Sequence, residues 1–119
     1  MTDRETDAPF SEPSSRAIAA LNDRLRTTGT GGRMVVTAGL AALGKTQVDL
    51  ALAIVAVFNA FDAGNDPHGE HDCATVEFGP ETLIWKIDYY DRALSAHSPN
   101  PADPSVTERV MTVMLAEEY

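Results

Sequence analysis

The sequence predicts an α+β fold, with three helices and a small sheet in the order α-β-α-β-β-α. Three patterns support this prediction. Apolar residues recur at helical spacing in residues 18–25, a longer apolar segment occupies residues 48–61, and apolar and polar side chains alternate in residues 74–90. Apolar residues at helical spacing in one part of the chain and at strand spacing in another indicate helices that pack against a sheet.

The length of the chain predicts one domain, because its 119 residues suffice for a single modest core. We expect that domain to span residues 14–119, after a mobile acidic tail at residues 1–13. The tail lacks the apolar stretch of a secretory signal, and Cys73 has no second cysteine with which to pair. The sequence therefore predicts a cytoplasmic protein.

The first helix and the first strand are separated by a glycine-rich segment. A helix is expected from Ser14 or Ser15, with Ile18, Leu21 and Leu25 on its buried stripe. The polar residues 22–24 and Arg26 are expected mostly off that stripe. The segment TTGTGG ends this helix, since glycine releases the backbone from helical angles. The following RMVVTA is rich in β-branched residues and predicts a short strand.

The second helix is expected from about Lys45 to Phe61, before Gly64 and Pro67 prevent its continuation. It is apolar nearly all round, which indicates a central helix covered on several sides. Its longest apolar stretch has 14 residues, whereas a membrane span needs about 20, so we expect no membrane association.

The second half of the chain predicts a hairpin followed by a third helix. The segments ATVEF and TLIWKIDYYD alternate as half-buried strands do, and Pro80 lies in a turn between them. Asp103 and Pro104 are typical of a helix start. The buried stripe of that last helix is expected to contain Val106, Val110, Val113 and Met114.

The charge of the chain is concentrated in one segment. The formal net charge is −9, and residues 62–91 hold eight acidic residues and one basic residue. Such a segment repels phosphate backbones, so direct binding of nucleic acid is not expected. It suits a partner protein with a basic surface, or else it is a solvated face without a partner.

The segment GLAALGKT, residues 39–46, matches the phosphate-loop pattern G-x-x-x-x-G-K-[ST]. Two of its variable positions are Leu40 and Leu43, which favour a core over a loop whose amides cradle phosphate. No aspartate in the expected context would hold magnesium. We interpret the segment as a packed elbow between strand and helix.

The segment NDPHGEHDC, residues 65–73, holds the densest chemistry of the sequence. The histidines His68 and His71 with the carboxylates of Asp66, Glu70 and Asp72 are candidate ligands for a divalent metal such as zinc or manganese, although their spacing matches no strong metal signature. Acid–base catalysis by a histidine that a carboxylate holds is a second interpretation. A purely structural loop is the third, and no cofactor is then required.

The segment WKIDYYD, residues 85–91, supplies the candidate residues for partner binding. Alternation places Trp85 and Tyr89 toward the core and leaves Asp88 and Tyr90 on the other face. Tyrosine is enriched among interface hot spots, and carboxylates steer a basic partner. Asp88, Tyr90 and Asp91 are therefore the predicted partner-binding residues.

At NDPHGEHD and WKIDYYD the chain resembles a family of small uncharacterised alphaproteobacterial proteins. These carry a domain of unknown function and are often found on plasmids and other mobile elements. The resemblance covers residues 18–119 and departs at Gly44-Lys45-Thr46 and at Cys73, where an aromatic residue is usual. It implies no established activity.

We interpret the sequence as that of a small acidic accessory protein, a non-enzymatic protein-binding module. A role as inhibitor of a nucleic-acid-handling or host-defence system would fit its acidity, because the channels of such enzymes are basic. The alternative is a metal-dependent hydrolase centred on NDPHGEHD.

Overall fold

The computed structural model describes residues 13–119, so residues 1–12, most of the predicted tail, lie outside the described part of the chain. The helices and strands are α1 (Pro13–Thr28), β1 (Arg33–Val36), α2 (Ala38–Ala41), α3 (Lys45–Val57), β2 (Cys73–Phe78), β3 (Glu81–Tyr90) and β4 (Glu108–Leu115). Short 3₁₀ turns at Pro104–Val106 and Ala116–Glu118 flank β4. The predicted α+β class, three helices with a small sheet, is confirmed.

The sheet has the strand order β1-β4-β3-β2. The predicted hairpin forms by antiparallel pairing of β2 with β3, and Gly79 and Pro80 make its turn. The strand β4 lies between β3, to which it is antiparallel, and β1, to which it is parallel. The last strand of the chain is therefore central, and β1 and β2 are the two edges.

The prediction of a helix after Asp103 is wrong. The carboxylate of Asp103 does accept a hydrogen bond from the amide of Ser105, at 2.9 Å, but it caps only one 3₁₀ turn. The strand β4 follows, and its buried positions alternate. Val106, Val110 and Val113 fit a helical stripe by spacing alone, whereas β-branched residues between two partner strands favour the extended chain.

The core lies between the helices and one face of the sheet. Leu25, Leu40 and Val55 of the three helices form one cluster with strand residues such as Trp85 and Val113, all fully buried. Residues that alternate to the other face of β3 and β4 do not belong to that cluster. The helices α1, α2 and α3 therefore pack on the face of the sheet that holds Trp85 and Val113.

The helix α3 is less enclosed than its composition predicts. It ends at Val57 rather than Phe61, and only Ala51 and Val55 are buried within it. Leu50 is 49% exposed and Val57 76% exposed. In the described part of the chain, no helix is both long and apolar enough to cross a bilayer.

The phosphate-loop match folds as an elbow that the chain fills itself. The side chain of Glu118 accepts hydrogen bonds from the hydroxyl of Thr37, at 2.5 Å, and from the amide of Gly39, at 2.7 Å. A Cβ at Gly39 would lie 2.6 Å from that carboxyl group. Lys45 is exposed and bonds to Asp49 at 2.6 Å. In a phosphate loop the amide of Gly39 would face the phosphate. Here that amide donates its hydrogen bond to the carboxylate of Glu118 instead.

We predict that Glu118→Gln destabilises the fold in a pH-dependent manner. The hydrogen bonds that Glu118 accepts, above all from Thr37, lower the pKa of its carboxyl group. A lowered folded-state pKa stabilises the protein above the ordinary glutamate range, and this contribution is lost as the pH falls through the folded-state pKa. Urea midpoints should therefore differ most at neutral pH and converge on acidification.

Glu117→Gln is the matched control, since Glu117 is an exposed neighbour in the same 3₁₀ turn. It should leave the midpoint unchanged at either pH. Equal effects of the two substitutions would mean that the contacts of Glu118 with the elbow contribute nothing specific.

Candidate functional site

The loop 65–73 is joined to α1 and to the sheet by a buried polar network around Asn22. The Oδ1 of Asn22 accepts a hydrogen bond from Nε of Arg109 at 2.8 Å. Its Nδ2 donates to the hydroxyl of Tyr89 at 2.8 Å and to the backbone carbonyl of Glu70 at 2.9 Å. The hydroxyl of Tyr89 donates in turn to the carboxylate of Glu70, at 3.0 Å. Helix α1, the loop and strands β3 and β4 therefore meet at one amide.

The two titratable groups of β3 and β4 in this network differ in charge. Burial lowers the pKa of Arg109, while Tyr89 and Glu70 oppose that change. Burial also raises the pKa of Tyr89. The guanidinium stays charged because an arginine has a very high ordinary pKa, and the phenol stays neutral. The guanidinium also donates to the carbonyl of Pro101 and lies 5.2 Å from the centre of the Tyr89 ring.

His71 is held between two carboxylates. Its Nδ1 lies 3.0 and 3.1 Å from the two carboxylate oxygens of Asp23, and its Nε2 lies 3.7 Å from a carboxylate oxygen of Asp66. The imidazole stacks on Phe61 with ring centres 4.0 Å apart. The backbone of His71 has a φ of 55°, and its amide donates to Asp66. Contacts on both ring nitrogens and one ring face hold the loop against α1.

An open cleft of about 490 Å³ adjoins this histidine, between α1 and the loop, and we call it the His71 cleft. Asp23, Asp66, Phe61 and Arg16 are among its lining residues. A general base needs one ring nitrogen directed at its substrate. Nδ1 of His71 bonds to Asp23, whereas Nε2 lies 3.7 Å from Asp66, beyond hydrogen-bond distance. The ring thus anchors the loop to α1, and acid–base catalysis by His71 stays a prediction.

The five predicted metal ligands separate into different environments. His68 is exposed, Asp66 contacts His71, and Glu70 accepts from Tyr89. Burial, with the nearby charges of Glu70 and Asp66, raises the pKa of Asp72. Across residues 13–119 no three side chains of histidine, cysteine, aspartate or glutamate are grouped to hold a metal ion. Metal binding by this loop stays a prediction.

Two of the three predicted partner-binding residues line one cleft. Asp88 and Tyr90 border an opening of about 410 Å³ beside the segment 94–97, together with Leu94 and Asp72, and we call it the Asp88–Tyr90 cleft. Tyr90 is 36% exposed and Leu94 41% exposed. Asp88 pairs with Lys86 on the same strand, with Nζ and Oδ2 2.5 Å apart. That ion pair raises the pKa of Lys86, chiefly through the hydrogen bond.

Asp91 is not among the residues that line this cleft. Its carboxylate accepts hydrogen bonds from the amides of Ser95 and Ala96, at 2.9 and 3.4 Å. These bonds, that from the Ser95 amide most of all, lower the pKa of Asp91. Asp91 therefore closes the turn after β3.

The residues that the sequence analysis missed lie on α1 and β4. Asn22 belongs to the buried face of α1, although it was expected mostly off the stripe, and Arg109 is 1% exposed. A signal for Asn22 exists, because it lies four residues after Ile18 and three before Leu25. The burial of Arg109 could not be predicted, because the sequence pattern predicts a helix where the structure has strand β4. Asp23 lies 48 residues from His71 in sequence, and no local pattern predicts that contact.

These features define a small α+β domain with an internal polar network and open surface clefts. The chain belongs to the DUF3768 family, described as proteins of unknown function, whose sequence profile matches residues 36–118. This confirms the resemblance to an uncharacterised-domain family. The matched range contains Glu70, Tyr89 and Arg109 of the network, whereas Asn22 precedes it. No curated protein and no solved structure matches the chain.

We predict that Tyr89→Phe lowers the free energy of unfolding by about 1–2 kcal/mol, because buried polar partners lose a hydrogen bond while the ring is retained. Tyr90→Phe is the matched control on the adjacent, exposed residue of β3 and should change stability by less than about 0.5 kcal/mol. Urea titration measures both. Equal stability of the two variants would contradict a stabilising role for the network hydroxyl.

We also predict that zinc and manganese leave the melting temperature unchanged, because Asp66 and Glu70 already accept hydrogen bonds within the fold. A metal site filled at 100 times its Kd would stabilise the fold by about 2.7 kcal/mol, which a thermal melt detects. Metal analysis of the purified protein is the second measurement. Stoichiometric metal that is lost in His68→Ala would instead support the predicted metal site.

Proposed function

We propose that this protein is a non-enzymatic protein-binding module whose partner presents a basic surface. The observation that carries the proposal is the convergence of Asp88 and Tyr90 on one open cleft. The polar residues around His71 bond mainly to each other, which argues for a scaffold role and against a reaction centre. We do not advance a metal-dependent hydrolase, because no described contact favours it.

The Asp88–Tyr90 cleft offers the contacts that a lysine or arginine side chain uses. The exposed faces of Tyr90 and Leu94 provide apolar area for the aliphatic part of such a side chain. The aromatic ring can also lie against its charged head group. Carboxylates of Asp88 and Asp72 border the same cleft. A guanidinium that binds there would share the Asp88 carboxylate with Lys86. The free energy of binding would therefore come from contact with Tyr90 as much as from the ion pair.

The setting that we propose follows from the resemblance at residues 65–72 and 85–91. It is that of a cytoplasmic accessory protein of a mobile element. An inhibitor of a nucleic-acid-handling or host-defence enzyme would contact a basic channel, and the net charge of −9 would speed that encounter. The protein itself would not bind nucleic acid, since phosphates and its surface repel each other.

Affinity capture from a native host lysate tests this proposal. Wild type is compared with Asp88→Asn/Tyr90→Ala, and captured proteins are identified by mass spectrometry. We expect the double variant to lose the partner, and wild-type capture to weaken between about 50 mM and 300 mM salt as charges are screened. Asp91 is left unchanged, because its substitution would open the turn after β3.

The control is Glu117→Gln, an exposed acid that lies outside the Asp88–Tyr90 cleft and bonds to none of its residues. It should capture the partner as wild type does. A folded double variant that captures the same proteins at the same salt would show that the cleft is not the interface.

A further inference from the structure

Helix α3 has a mostly apolar stripe that residues 13–119 leave partly exposed. Leu43 lies before the helix and is separated from it by Gly44, whose φ is 100°. Within the helix, Gln47, Leu50, Ile54 and Val57 follow one another at intervals of three, four and three residues. This spacing places them along one side of a helix. Leu43 is 40% exposed, Leu50 49% and Val57 76%. These exposed residues explain why α3 is less buried than its apolar composition predicts.

The stripe forms one wall of a groove. The side chains of Leu43, Leu50 and Ile54 face the turn of the β2–β3 hairpin across an opening of about 340 Å³. Phe78 and Pro80 line the opposite wall. This feature, which we call the α3 groove, shares no lining residue with the Asp88–Tyr90 cleft.

The exposed apolar side chains of this groove offer a surface that apolar side chains of a partner could cover. Contiguous apolar patches cost free energy in water, and on soluble proteins larger ones are associated with partner contacts. Lys45 and Asp49 pair on another side of α3 and leave the stripe without charge. Residues three and four apart on α3 form a face against which a second helix can pack its own side chains.

The charges around the groove decide what fits there. Glu77 and Glu81 lie at its rim, and its lining includes no basic residue. A second copy of the chain would bring four such glutamates together and would join two molecules of net charge −9 each. Like charges disfavour that pairing, whereas lysine or arginine beside an apolar segment would pair with the rim.

We propose that the α3 groove binds an amphipathic helix of a partner protein, with apolar side chains at helical spacing and flanking lysine or arginine residues. Its apolar side chains lie along Leu50 and Ile54, and its basic residues lie beside Glu77 and Glu81. The inference goes beyond the proposed function, because it assigns a second surface and does not depend on the Asp88–Tyr90 cleft.

Binding of designed peptides tests the proposal on the full chain. The probe is a helical peptide of about 18 residues with leucine at i, i+3, i+4 and i+7 spacing and lysine elsewhere. A peptide with the same leucines and glutamate for lysine tests the charge, and a scrambled leucine–lysine peptide tests the apolar face. We expect saturable binding of the first peptide alone, with amide shifts in α3 and in the hairpin turn.

Variants then locate the site. Leu50→Ser, a change at an exposed position, should weaken binding at least about tenfold, and Glu77→Gln/Glu81→Gln should weaken it and flatten its salt dependence. The matched control is Val35→Ser, which removes a similarly exposed apolar side chain from β1. It should bind as wild type does, as should Asp88→Asn/Tyr90→Ala.

Three results would overturn the proposal. Equal weakening by Val35→Ser and Leu50→Ser, or equal binding of the glutamate or scrambled peptide, would show that the groove does not select this ligand. Sedimentation that finds a dimer abolished by Leu50→Ser would assign the groove to a second copy of the chain. Loss of the lysate partner in the Asp88–Tyr90 variant concerns the other surface and leaves this test unaffected.

Discussion

The amide of Asn22 is fully buried and bonds to three parts of the chain that are distant in sequence. One of its partners, Arg109, carries a charge at the centre of the sheet, and a buried guanidinium is tolerated only where its donors are satisfied. Asn22 supplies an acceptor and the carbonyl of Pro101 another. The position of α1 over the sheet is thereby fixed, because a shift of the helix would leave a buried charge without its acceptor.

A second arginine of α1 connects the same helix to α3. Arg26 is 5% exposed and donates hydrogen bonds to the carbonyls of Val55, Ala56 and Phe58, at 2.8, 3.1 and 2.8 Å. These carbonyls lie at the end of α3, where a helix runs out of its own amide donors. Arg26 also pairs with Asp23, which holds His71. The cation therefore caps the end of α3 and orients the carboxylate of Asp23 on α1, which in turn contacts His71 of the loop. The charged residues of α1 hold the fold together from inside, although their sequence pattern resembles a solvated helix face.

Local sequence patterns predicted the parts of the fold that depend on residues close together in the sequence. The hairpin β2–β3 was predictable because alternation and Pro80 act within a few residues. The strand β4 was not, since Val110 and Val113 are compatible with both periods and the choice depends on β1 and β3. Candidate residues were likewise recognised in the loop 65–73, but the contact of Asp23 with His71 spans 48 residues and determines what the loop does.

The acidic segment shows why the position of a charge matters more than its count. Of its eight acidic side chains, Asp66 and Glu70 bond within the fold and Asp91 closes a turn. Their charges are directed to hydrogen-bond donors of the protein itself, which reduces their effect on a distant molecule. Glu77 and Glu81 instead lie at the rim of an apolar groove. Beyond about 10 Å, salt screens exposed charges, so only acids beside a contact surface influence which partner stays bound. The attraction that we propose for a basic partner would therefore act at the Asp88–Tyr90 cleft and at the α3 groove, although the sequence spreads the acids over 30 residues.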